Sequence, residues 1–120
     1  MKTAHDVKLL KLWREAAMLR AGEKCALCPN TDRLNCHHYF GRKNRQLRWD
    51  IDNAVILCYT HHVGGKYSAH NDPEWFRERM LYIRGQEWLD KIKVKSRQEK
   101  GLVFEEIRDK LEASINHYIK

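Results

Sequence analysis

The chain of 120 residues contains no apolar run approaching the ~18 residues that a membrane span requires. Its opening, Met1-Lys2-Thr3-Ala4-His5-Asp6, lacks the apolar core of a signal peptide. Both absences lead us to expect a cytoplasmic protein with no membrane partner. The sequence also lacks internal repeats and low-complexity segments, and its length suits one domain with a modest core. Cysteine is scarce. The four present could close two disulfides, but a reducing cytosol disfavours that, and Cys-x-x-Cys beside histidines reads better as a metal-binding pattern. Negative charge is in the minority, with 16 acidic side chains against 23 lysines and arginines, a net charge of +7. A basic balance fits a polyanionic partner, of which nucleic acid is the commonest, although a solvated basic surface gives the same count.

Four helical segments frame the chain. Asp6 is placed to cap a helix running to about Arg20, with Val7, Leu10, Trp13 and Ala17 on one stripe and Leu9, Leu12, Ala16 and Leu19 on the next. Gly22 is placed to end it. Asp72-Pro73-Glu74 combines a capping carboxylate with proline at the first helical position. Phe76, Met80 and Ile83 are expected on that helix's buried side, and Gly85 at its end. A further stretch from Glu87 turns Trp88 and Ile92 inward and Lys91, Lys93, Lys95 and Arg97 outward. After Gly101, a last helix from about Val103 to Ile119 carries Phe104, Ile107, Leu111, Ile115 and Tyr118 as a core face or a face for a partner helix.

The chemistry is concentrated between the first two helices. Cys25-Ala-Leu-Cys28 can hold one zinc ion through two thiolates, and Cys58-Tyr-Thr-His61 repeats the spacing about thirty residues on. Together they make four ligands for a structural Zn²⁺. Cys36 is left over as a small buried residue. Between the two pairs, Arg33–Phe40 reads as a short strand ending near His38, and Ala54-Val-Ile-Leu57 as a second, apolar strand after the turn-forming Asp52-Asn53. A polar loop with Arg42, Lys43, Arg45 and Arg48 joins them. Gly64-Gly65 should limit any helix carrying His61 and His62. Trp49 is expected to be a core anchor, and His5, His70 and His117 surface residues.

Two adjacent histidine pairs, His37–His38 and His61–His62, bracket this region. A neutral imidazole near pH 7 can take a proton from an attacking water. A divalent ion can polarise a phosphoryl oxygen and stabilise a departing alkoxide. Neighbours on a strand point to opposite sides, so one histidine of a pair can face a metal while the other faces the water.

Trp13-Arg14, Arg20, Gly22, Cys25-x-x-Cys28, His37-His38, Asp52-Asn53 and Cys58-x-x-His61-His62 together resemble the HNH endonuclease pattern, over residues 13–62. The stretch from His38 to Asn53, with the later Pro-Glu-Trp-Phe, is also similar to a group of phage and prophage HNH proteins, whose setting would be a bacterial or phage-infected cell. The resemblance implies an α+β chain with a ββα-metal core stapled by structural zinc. An N-terminal helix (1–24) and a helical extension (71–120) would flank that core (25–70). It implies His38 as general base, Asn53 as the residue holding the long loop, and His62 as ligand of the catalytic metal. His37 stands where the family usually has an aspartate ligand. Cys25, Cys28, Cys58 and His61 match the zinc staple, though His61 and His62 are adjacent and could exchange roles. A catalytic site richer in nitrogen shifts preference from Mg²⁺ toward Mn²⁺, Ni²⁺ or Zn²⁺.

The expected function is metal-dependent hydrolysis of DNA, leaving a 5′-phosphate and a 3′-hydroxyl as the resemblance implies, with Arg42, Lys43, Arg45 and Arg48 near the scissile phosphate. One site breaks one strand, so a double-strand break needs a homodimer, two nicks in sequence or another partner. The alternatives are a zinc-stapled DNA-binding module without catalysis, and a small zinc domain whose helical tail binds a protein.

Overall fold

The computed structural model describes residues 3–119 and has the order α1 (Ala4–Arg20), β1 (Leu34–His38), β2 (Ala54–Cys58), α2 (Pro73–Ser96) and α3 (Phe104–Tyr118). A 3₁₀ turn, Ile51–Asn53, leads into β2, and a single π turn, Thr60–Gly64, leaves it. The result is an α+β architecture in which helices flank a two-stranded antiparallel hairpin.

The first helix begins one turn earlier than its sequence suggests. Thr3, not Asp6, is the cap: its hydroxyl accepts from the Asp6 amide, and the Asp6 carboxylate accepts in return from the Thr3 amide. That reciprocal pair is a capping box, with the acidic residue at its third position. The helix ends at Gly22, whose φ of 70° lets its N–H reach Leu19 while the Glu23 N–H reaches Met18. Those two bonds form a Schellman close. Val7 is exposed; Leu9, Leu10, Leu12, Trp13, Ala16 and Ala17 form the buried face.

All five residues of β2 are buried, because each face of the hairpin meets a different core. Ala54 and Ile56 point to α1 and α3, where they join Leu9, Trp13, Leu111 and Ile115. Val55 and Leu57 point the other way, to Phe76, Met80 and the Cys25 knuckle. In register, His38 lies opposite Ala54, His37 opposite Val55 and Cys36 opposite Ile56. Side chains alternate along a strand, so His38 falls on the α1 face and His37 on the α2 face.

The second helix kinks at Gly85, where φ of 89° and ψ of 167° leave the helical region, a conformation that suits glycine. Around this kink Arg84 donates to the Asp52 and Ala54 carbonyls at 3.2 and 2.8 Å, and Trp88 Nε1 donates to Asp52 O at 2.8 Å. Burial, with help from nearby Arg20, pushes the Arg84 pKa down to about 10 although Asp52 opposes the shift. Two expectations for this helix fail. Ile83 is 43% exposed, because the kink ends the buried stripe at Met80. Lys95 is only half-exposed and turns back to Asp50 at 2.7 Å. The apolar face of α3 packs on α1 through Leu111 and Ile115, so that face is covered within the chain. No helix among the described residues is long and apolar enough to cross a membrane.

Candidate metal centres and catalytic cleft

The first centre joins Cys25, Cys28, Cys58 and His61, whose ligand atoms all lie within 4.8 Å of one another. The Cys28 and Cys58 sulfurs are 3.8 Å apart, too far for a disulfide, and His61 Nδ1 lies 3.4 Å from Cys58 Sγ and 3.7 Å from Cys25 Sγ. Zinc bonds of ~2.3 Å to sulfur and ~2.0–2.1 Å to nitrogen set tetrahedral edges of ~3.8 Å between sulfurs and ~3.6 Å from sulfur to nitrogen. The measured separations match those edges, so the cluster could hold a metal such as zinc. The Leu27 amide points at Cys25 Sγ, at 3.4 Å, as a partner for a thiolate. Burial pushes the Cys28 thiol up to about 11. A bound dication reverses that penalty and releases the proton.

His62 belongs to a different group. The π turn directs His61 to the cysteines and His62 across to His37 and His70, a second set whose ligand atoms also lie within 4.8 Å. His62 Nε2 and His70 Nε2 are 3.2 Å apart. Two nitrogens sharing one ion at ~2.0–2.1 Å stand ~2.9–3.4 Å apart, so the pair fits a metal. His70 is exposed, as expected of a surface histidine, and its ring also faces this group. Its loop folds back through bonds from the Ala69 amide to His61 O and from the His70 amide to His62 O. Asn71 fastens the loop, donating through Nδ2 to Val63 O and Gly65 O, both at 2.8 Å. No spacing rule marked His70; Asn71-Asp72-Pro73 after it announced a turn and a helix start, not a ligand.

Gly64 and Gly65 make the π turn possible. A Cβ on Gly65 would lie 2.7 Å from the Thr60 carbonyl oxygen, the same oxygen that accepts the Gly65 N–H at 2.8 Å. A Cβ on Gly64 would meet the Tyr59 ring.

His38 stacks on Trp13 with centroids 3.9 Å apart, and its Nε2 lies 3.0 Å from Arg48 O. A carbonyl can only accept, so Nε2 carries the proton and Nδ1 is left with a lone pair. Burial drives the His38 pKa down to about 4; the bond to Arg48 O opposes this, and the charges of Arg42, Arg14 and Arg48 add to it. Burial, followed by repulsion from His62, His70 and His38, takes His37 down to about 3. His62 is lowered by burial and by His70. All three rings are therefore neutral near pH 7, the state required of a ligand or a base.

Asn53 is fully buried and ties the loop at both ends. Its Oδ1 accepts from the Phe40 amide at 2.7 Å, and its Nδ2 donates to Phe40 O at 2.9 Å and to Leu47 O at 3.2 Å. Leu47 precedes Arg48, so Asn53 fixes the carbonyl that orients His38. Trp13 assists by donating from Nε1 to Asp50 O at 2.9 Å.

An open cleft of about 620 Å³ lies over this group, lined by His37, His38, His62, His70, Arg14, Arg42, Lys43, Cys36, Leu10 and Gly41. Among the described residues its lining holds no carboxylate. The four loop cations divide: Arg42 and Lys43 line the cleft, Arg45 faces other depressions, and Arg48 donates from Nε to Arg42 O at 2.7 Å. Arg14 of α1 joins the cleft in their place. Cys36 lies in the lining with its thiol pushed by burial up to about 12, which leaves it un-ionised. Trp49 is half-buried against the α1 core.

No protein family model, no curated protein and no solved structure matches this chain. Its three-cysteine, one-histidine cluster and its small ββα-like arrangement are only weakly compatible with a zinc-stapled module of the HNH kind.

Proposed function

We propose that the chain is a metal-dependent endonuclease of the HNH type that hydrolyses DNA phosphodiester bonds. The observation that carries this reading is the cleft. It sets an imidazole with a fixed tautomer beside three histidines able to share one ion, under three cations and, among the described residues, no carboxylate.

His37, His62 and His70 would hold the divalent ion. All three ligands are nitrogens, which favours Ni²⁺, Zn²⁺ or Mn²⁺ over Mg²⁺. When bound, the ion would polarise a phosphoryl oxygen and stabilise the leaving oxygen. His38 takes the proton of the attacking water at Nδ1, and the Arg48 carbonyl then stabilises the imidazolium through Nε2. General-base assistance of this kind contributes ~10²–10⁴ in rate. Arg14, Arg42 and Lys43 neutralise the non-bridging oxygens and hold the phosphate in line. Asn53 keeps the loop, and hence Arg48 O, in place. The Cys25, Cys28, Cys58 and His61 cluster, loaded with zinc, anchors the turn on which His62 sits.

The test is conversion of supercoiled plasmid by zinc-loaded protein with added Mg²⁺, Mn²⁺ or Ni²⁺, beside a chelator control and a folded His38→Ala variant. Nicked or linear product that needs both the metal and His38 supports the reading. Folded protein that binds DNA and cuts no duplex, branched or single-stranded substrate with any metal would leave a non-catalytic zinc-stapled module.

A further inference from the structure

The cations around the cleft do not stop at its rim. Lys43 lines both the cleft and a second depression of about 550 Å³ that holds Arg45 and Lys100. Arg45, Gln46 and Leu102 line that depression and a third, of about 280 Å³, that holds Lys110. The three surfaces are thus continuous, from Arg14 on α1, across the loop, to the turn before α3 and α3 itself.

Three features distinguish this strip from scattered surface charge. None of Arg14, Arg42, Lys43, Arg45, Lys100 and Lys110 forms an ion pair among the described residues. The carboxylates nearest to it are already engaged, Asp50 with Lys95 and Asp52 with Arg20, which leaves Glu99 as the one acidic side chain in the linings without an ion pair among the described residues. The loop that bears the cations is fixed to the end of α2 and the segment after it. Asn44 Nδ2 donates to Ser96 O at 3.3 Å and Gln46 Nε2 to Lys100 O at 3.0 Å. Cations on a backbone held in this way lose little freedom on meeting a polyanion, so their attraction is not offset by ordering the loop.

We infer that this strip is the track for the DNA backbone flanking the cut, so that the duplex arm leaves the cleft over Lys43 and Arg45 and runs to Lys100 and Lys110. The inference rests on the DNA part of the proposed function and not on hydrolysis. Lys100 and Lys110 would contact phosphates away from the scissile one, positioning the duplex without touching the reacting atoms.

The test compares wild type with a Lys100→Gln/Lys110→Gln variant. Both residues are exposed, so the exchange leaves the core intact. A Lys8→Gln/Lys91→Gln variant removes equal charge from residues outside all three linings. Binding is read by anisotropy of a labelled duplex longer than the protein's 39 Å extent, with zinc as the only metal. Removing one lysine–phosphate pairing lowers the slope of log K against log salt by ~0.9, so the track variant should give up roughly tenfold of the affinity that wild type acquires over a fourfold drop in salt. With an active metal, KM should rise and kcat stay unchanged. An unchanged slope, an equal loss in the control variant, or no wild-type binding at low salt would each overturn the track. A track-dependent slope without cleavage would sink the nuclease reading alone; cleavage indifferent to both lysines would sink the track alone.

Discussion

Replacing Asn53 by alanine tests the link between the loop and His38. The side chain is fully buried and makes three hydrogen bonds, two to Phe40 and one to Leu47. Each is worth ~1 kcal/mol net, and buried groups left without partners cost more, so the loss should be ~3–5 kcal/mol. That is a large fraction of the ~5–15 kcal/mol that holds a domain together. With an unfolding entropy of ~2.1 cal/mol/K per residue over 120 residues, about 0.25 kcal/mol/K, Tm should fall by ~12–20 °C. Circular dichroism melting of the zinc-loaded variant reads this directly. Limited proteolysis should find new cuts within residues 41–48. If Asn53→Ala melts within ~3 °C of wild type, at a temperature scale of ~4 °C per kcal/mol, the loop is held by something else and the route from Asn53 to His38 is wrong.

Stripping zinc with a chelator should abolish the cooperative melt, because a structural zinc supplies ~10–16 kcal/mol in comparable small modules, more than the domain's own margin; a zinc-free protein with an unchanged melt would refute the staple. Gly65→Ala should destabilise more than Gly64→Ala, by ~1–3 kcal/mol, since its Cβ meets the Thr60 backbone whereas that of Gly64 meets a half-exposed ring able to swing away; equal melts would contradict the geometry. Asp52→Asn should cost at most ~1 kcal/mol at neutral pH, its ion pairs with Arg20 and Lys95 being partly solvated. Burial raises the Asp52 pKa, but the Arg20 bond and charge, with Lys95 and Arg84, outweigh it and leave the carboxyl below its ordinary 3.8. The wild-type advantage is therefore full above that value and fades as pH falls through the lowered one; an advantage that persisted once Asp52 was protonated would deny the ion pairs any part in it.

Much of the hairpin was legible because its signals are local. The two strands, the Asp72 cap and each half of the zinc spacing depend on residues within a few positions of one another, and the structure has β1 ending at His38 and β2 starting at Ala54, as read. The division of His61 and His62 between two centres was read from the Cys58-x-x-His61 spacing and from the resemblance, and the structure groups them so; the π turn that makes the division was not legible, because it depends on glycines read only as helix breakers. His70 was hidden for a related reason. Its approach to His62 is made by backbone bonds and by Asn71, none of which leaves a periodic mark. Ile83 was misplaced because a helical stripe was extended up to Gly85, while the kink there, with Arg84 and Trp88 gripping the start of β2, ends the stripe a turn earlier.

The same turn makes the two centres interdependent. His61 and His62 are adjacent, so the peptide between them carries any displacement of one imidazole to the other. The His61 backbone also receives the Ala69 amide that brings His70 home. Zinc held by His61 would thus set the position of two of the three histidines in the cleft, while β1 fixes the third, His37, against Phe76 with ring centroids 5.2 Å apart. An ion in the cleft needs His62 and His70 with their nitrogens near the observed 3.2 Å, a spacing that two free side chains would not keep. The staple is therefore not a remote brace. His61, which would hold the zinc, is one peptide bond from His62 in the cleft, and the π turn carries both.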